Sequence, residues 1–145
     1  MGKFEDLLQE TVNKDYDDIV DNGERAANRL YGELLDICED RDDAFDTMIG
    51  IIAACVGTDG TLTQLEYDFF CDVFDVDQSY DSTLDMLNEW NVKDAIKMVF
   101  ALVDELSYDG RVALASFCLD FMAVDEKISN IEVDFLEILF DKASR

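Results

Sequence analysis

The sequence predicts an all-α protein: a compact single-domain bundle of about seven to eight helices, with two pseudo-symmetric three-helix repeats. Three observations carry this. The 145 residues include no proline and only seven glycines, a composition that long helices accept and turn-rich sheets do not. Apolar residues recur at three- and four-residue spacing along most of the chain. A twelve-residue pattern also occurs twice, 66 residues apart. Hydrophobic residues make up 49% of the chain, enough to build a core despite the heavy charge.

The elements follow in order. Phe4, Leu7, Leu8 and Val12, then Ile19 and Val20, place an extra N-terminal helix over about residues 3–20, with a break near Asn13. Asn22-Gly23 reads as a turn. Arg25 to Cys38 is a second helix with Leu30, Leu34, Leu35 and Ile37 inward. The charged run Glu39 to Asp43 precedes a third, Ala44 to Val56, which is apolar on nearly every face and therefore central. Thr63 opens a fourth, ending near Phe74. Asp75 to Ser82 is acidic and aperiodic and reads as the joint between the halves.

Leu84, Met86, Leu87 and Trp90 mark a short helix. Val92 to Leu106 is the next, with Ile96, Val99, Phe100 and Val103 inward. Ser107-Tyr108-Asp109-Gly110 reads as a turn, and Val112 to Val124 as a second largely apolar helix. Ser129 starts the last helix, with Ile131, Phe135, Ile138 and Leu139 as its stripe. Repeat 1 thus spans about residues 25–75 and repeat 2 about 92–143. Neither can bury its apolar face alone, so the two pack together in one domain, residues 1–145.

Thirty-five Asp and Glu oppose eleven Lys and Arg, a formal net charge of −24. Such a surface repels nucleic acids and anionic lipid. Metal cations and basic protein patches are the partners it favours. Histidine is absent, which removes the usual general base and the commonest zinc ligand. No P-loop, dinucleotide fingerprint or activated nucleophile motif is present, so no enzyme is expected. Cys38, Cys55, Cys71 and Cys118 form no C-x-x-C pair and read as small core residues in a reducing compartment. No stretch is apolar for long enough to span a membrane, and no signal-peptide core is seen, so a cytoplasmic protein without membrane insertion is expected.

The repeated pattern is Asp59-Gly60-Thr61-Leu62-Thr63-Gln64-Leu65-Glu66-Tyr67-Asp68-Phe69-Phe70 and Asp125-Glu126-Lys127-Ile128-Ser129-Asn130-Ile131-Glu132-Val133-Asp134-Phe135-Leu136. Thr63-x-x-Glu66 and Ser129-x-x-Glu132 are capping boxes. Leu62 and Ile128 are placed as hydrophobic staples, and Phe69 and Phe135 as core anchors. Helix capping therefore explains the hydroxyls and the glutamates without any ligand. It leaves Asp59 and Asp125 unexplained. An aspartate seven residues before a glutamate matches positions 5 and 12 of an EF-hand loop. Positions 1 and 3 fail in both copies, holding Cys55 and Gly57, then Phe121 and Ala123. An ordinary EF-hand is thus excluded. A pooled site remains, in which Asp59, Glu66, Asp125 and Glu132, with Asp120 beside them, converge across the pseudo-two-fold axis and take Ca²⁺, Mg²⁺ or Mn²⁺. Asp68 and Asp134 recur as well but read as solvated helix-surface residues.

The segments Ala53-Ala54-Cys55-Val56-Gly57-Thr58-Asp59-Gly60-Thr61-Leu62-Thr63-x-x-Glu66 and Phe121-Met122-Ala123-Val124-Asp125-Glu126-Lys127-Ile128-Ser129-x-x-Glu132 resemble the tellurite-resistance TerB family. That family also includes the helical domain of a membrane-anchored DnaJ-type co-chaperone. The resemblance covers about residues 25–142 and departs from the family pattern at Glu126. It implies an all-α fold with an acidic surface, a role in a stress or metal-ion response, and protein partners that are often membrane-associated. It also implies a metal site on the acidic loop residues, here Asp59, Glu66, Asp125 and Glu132. Two functions follow as expectations: a non-enzymatic TerB-like module that binds a divalent cation, or an acidic interaction module that docks a basic partner, its repeated loops being purely structural.

Overall fold

Two helices run through the middle of the molecule with almost no polar face. They are α3 (Arg41–Gly57) and α7 (Tyr108–Ala123). Met48, Ile51, Ala54 and Cys55 of α3 and Leu114, Phe117, Cys118 and Phe121 of α7 are fully buried. Six further helices surround them among the described residues: α1 (Lys3–Val12), α2 (Tyr16–Ile37), α4 (Gln64–Phe74), α5 (Tyr80–Asn88), α6 (Val92–Val103) and α8 (Asn130–Ala143). The computed structural model describes residues 3–57, 62–124 and 130–144, without the side chains of 3–5, 130 and 131. Asp59, Gly60, Asp125, Ile128 and Ser129 lie outside the described residues, as do the side chains of Phe4 and Ile131. The all-α expectation is met: the described residues form helices and their connections, with no strand.

The closest helix pairings are α2 with α7 and α3 with α6, followed by α7 with α8. Exchanging the two repeats would map α2 onto α6 and α7 onto α3, and so would carry the first pairing onto the second. Among the described residues α3 and α4 have no pairing as extensive as that of α7 and α8.

Helix starts follow local chemistry. Asp40 Oδ1 accepts from Asp43 N at 2.8 Å before α3. Ser79 accepts from Ser82 N at 3.1 Å before α5, and Asn91 from Lys93 N at 2.9 Å before α6. Asp75 ends α4 in the left-handed region at φ 51, a conformation that aspartate tolerates better than most residues. The break expected near Asn13 is present between α1 and α2.

Two expected turns are helical instead. Asn22-Gly23 lies inside α2, which continues unbroken to Ile37. The glycine is there for packing: a Cβ at residue 23 would meet Phe69 Cζ at 2.4 Å. Ser107 is the N-cap of α7, so Tyr108, Asp109 and Gly110 form its first turn. The Ser107 hydroxyl accepts from Gly110 N at 3.1 Å, and Glu33 of α2 accepts from Ser107 N at 2.9 Å. That clasp holds Glu33 below the ordinary carboxylate range, chiefly through the Ser107 hydroxyl bond. The inward stripes also shift at helix ends: Leu35, Ile37 and Ile138 are exposed, while Ala95, Leu102 and Leu136 are buried.

Candidate functional site

Thr63 and Glu66 form the capping box that their spacing predicts. Glu66 N donates to Thr63 Oγ1 at 3.1 Å, and Thr63 N donates to Glu66 Oε1 at 2.9 Å. Leu62, in the staple position, is buried. An N3 glutamate normally reaches back along an exposed first turn. Here Glu66 is 0% exposed, and Glu132, its counterpart on α8, is 2% exposed.

The charges of both glutamates act on one buried thiol. Cys55 of α3 shares a hydrogen bond with Cys118 of α7, and both Glu66 and Glu132 lie within electrostatic reach of the Cys55 thiol. The Cys118 bond, burial and these neighbouring negative groups push the Cys55 thiol well above its ordinary pKa. A thiol held protonated in this way is a weak nucleophile and a weak soft-metal ligand. No disulfide joins any of the four cysteines. Cys55 and Cys118 are core residues as expected, whereas Cys38 and Cys71 are only half-buried.

Of the four carboxylates expected to pool, the structure describes two, Glu66 and Glu132, and the charges of both act on the Cys55 thiol. Asp59 and Asp125 lie outside the described residues. Among the described residues no group of three or more His, Cys, Asp or Glu side chains is arranged to hold a metal ion. The described part supplies carboxylate oxygens, the donor type a hard cation takes, although Glu66 Oε1 also accepts from Thr63 N.

Asp120 does not join this group. It faces a cavity of about 390 Å³ between α1, α2 and α7, together with Lys14 and Arg25. Burial raises its carboxyl to about 7, and the charges of Lys14 and Arg25 partly oppose the rise. In the sequence it is the one charged residue within the apolar run Val112 to Val124, a pattern that marks a buried acid.

A second cleft, also of about 390 Å³, lies beside α4 and the segment that follows it. Its walls include Tyr16, Tyr67, Asp68, Asp72, Asp77 and Gln78. Tyr16 donates to Asp72 Oδ2 at 2.6 Å. Burial first, then that bond and the surrounding aspartates, holds the Tyr16 phenol above its ordinary value. Tyr67 donates to the Gln78 carbonyl, and its ring packs edge-on against Tyr80 at 5.6 Å. Asp68, expected on a solvated face, is half-buried here and accepts from Gln64 Nε2 at 3.0 Å. This cleft was not foreseen. Its residues come from three elements, and only Tyr16 and Tyr67, each flanked by acidic residues, hinted at it.

No helix among the described residues is long and apolar enough to cross a membrane. No family model, curated protein or solved structure matches the chain. The likeness to TerB rests on the repeated motif itself.

Proposed function

We propose that this chain is a non-enzymatic acidic helical module that docks a basic segment of a protein partner. The observation that carries the reading is the cleft of Tyr16, Tyr67, Asp68, Asp72 and Asp77 on a protein with a formal charge of −24. Tyrosine faces attract alkylammonium and guanidinium groups, and the aspartates pair with them. Charge over the rest of the surface would speed the encounter without fixing its geometry. The test is fluorescence anisotropy with a lysine- and arginine-rich peptide. Binding should weaken with salt, ignore chelator, and fall about tenfold in Tyr16→Ala plus Asp72→Asn. The control neutralises the exposed Glu10 and Glu137. Equal losses in cleft variant and control would mean diffuse attraction and would end this reading.

A second reading is favoured by two buried carboxylates, Glu66 and Glu132, whose charges act on one thiol. It is a TerB-type module in a stress or tellurite-resistance-type response, with Ca²⁺, Mg²⁺ or Mn²⁺ held by Asp59, Glu66, Asp125 and Glu132. It predicts thermal stabilisation by millimolar cation beyond that given by NaCl of equal ionic strength. The stabilisation must vanish in Asp59→Asn plus Asp125→Asn. A shift that survives both substitutions would leave only counterion screening.

A further inference from the structure

The cavity between α1, α2 and α7 differs in kind from the acidic cleft. Its walls bring Lys14 and Arg25, two of the eleven cations in the chain, to the same space as a deeply buried acid. Asp120 is 5% exposed. Among the described residues neither it nor Lys14 nor Arg25 makes an ion pair; Arg29 makes both that are found, with Glu33 and Asp109. Arg25 donates to Asn22 Oδ1, a neutral partner that orients the guanidinium, and its charge acts on Asp120 without a direct ion pair. Leu7, Val112 and Leu119 supply an apolar wall. Asp120 is the one buried charge at this cavity, and a buried charge without an ion pair is costly. Half-buried Lys14 and exposed Arg25 line the same space, as does Asp109, which is already paired with Arg29. A ligand carrying both signs would therefore pair the acid and the two cations together. The volume, about 390 Å³, lies within the usual range for small-molecule sites.

We propose that this cavity binds a small aliphatic zwitterion of the α-amino acid type, its ammonium on Asp120 and its carboxylate on Arg25 and Lys14. Each simpler ligand meets an opposing charge. A plain anion faces Asp120 and the field of a −24 protein, while a plain cation faces Lys14 and Arg25. A zwitterion adds no net charge and satisfies both ends, and an aliphatic side chain covers Leu7, Val112 and Leu119. The two charged ends together fix its orientation, as the few convergent polar groups of a small-molecule pocket do.

The test is an amide NMR titration of the full chain with L-leucine and with its two half-molecules, 3-methylbutylamine and 4-methylpentanoate. Leucine should give saturable shifts at millimolar concentration, centred on Asn22, Arg25, Ser116 and Asp120. Each half-molecule should bind at least about tenfold more weakly. Arg25→Ala and Asp120→Asn should each cost a similar factor. Arg25 is exposed, so its variant keeps the fold and the test stands even if the buried substitution perturbs it. Absence of saturation, equal binding of either half-molecule, or full binding by Arg25→Ala would overturn the proposal.

Discussion

Replacing Gly23 with alanine and, separately, Gly32 with alanine puts the same methyl group at two interior positions of α2 with opposite surroundings. At Gly32 an added Cβ meets nothing within 4 Å. Only helix propensity acts there, and alanine should stabilise by about 0.8–1 kcal/mol. At Gly23 the added Cβ would lie 2.4 Å from Phe69 Cζ and 2.8 Å from Cε2, well inside the ~3.5–4.0 Å optimum for carbon atoms. Phe69 has little room to retreat. It is 0% exposed and packs against Phe117 at 6.0 Å and Phe121 at 5.8 Å, centroid to centroid.

Overpacking of this kind costs about 1–3 kcal/mol. The propensity gain offsets part of it, so Gly23→Ala should destabilise by up to about 2 kcal/mol. The difference between the two variants is free of propensity and isolates the steric cost, about 1–3 kcal/mol. At roughly 3 °C per kcal/mol for a chain of this size, their melting temperatures should separate by about 3–10 °C. Differential scanning calorimetry or urea unfolding reads this directly. Equal shifts of the same sign would refute the close approach of α2 and α4, and with it the account of why Asn22-Gly23 is helical.

Further outcomes follow from the same packing and hydrogen bonds. Thr63→Ala removes the acceptor for Glu66 N and should cost about 1 kcal/mol in urea unfolding, while Thr63→Ser should cost little. The Asp120 carboxyl is raised from 3.8 to about 7 in the folded state, so burial costs nothing below the unfolded value, costs more as pH rises between the two values, and levels off above the folded one. Asp120→Asn should therefore be near neutral at pH 4 and stabilising by on the order of 2–4 kcal/mol above pH 7, a trend that urea unfolding across pH would reveal. Tyr16 is held above its ordinary value of 10.0 by burial and Asp72, so ultraviolet titration should show one fewer tyrosine ionising near pH 10 than in Asp72→Asn.

The helical class, most element positions and the central places of α3 and α7 were legible because each rests on local pattern. Apolar residues on every face of Ala44 to Val56 leave no surface to expose. Thr63-x-x-Glu66 specifies its own hydrogen bonds. The misreadings share one cause: tertiary packing overrode a local signal. Asn22-Gly23 has the chemistry of a turn, but the bare backbone lets the Phe69 ring of α4 press against α2. Ser107 to Gly110 also looks like a turn, until Glu33 arrives from another helix to take the Ser107 amide. Both clefts combine residues far apart in sequence, Tyr16 with Asp72 and Arg25 with Asp120, and no spacing rule links such pairs. Asp120 alone signalled itself, as a charge inside an apolar run, though not the direction in which it faces.

The capping and cation readings of the repeated motif meet at one atom. Glu66 Oε1 accepts from Thr63 N, so a cation taking that oxygen would compete with the start of α4. Binding through that oxygen would then loosen the capping box as it neutralises charge, and the two effects have separate signatures. Neutralisation raises the melting temperature. Loss of the cap speeds amide exchange at Thr63, whose N–H would lose its acceptor. A divalent cation that stabilises the protein while leaving Thr63 exchange unchanged does not take Glu66 Oε1: it acts by screening, through the second oxygen of the carboxylate, or at another site. One that stabilises it and quickens that single amide engages Glu66 itself.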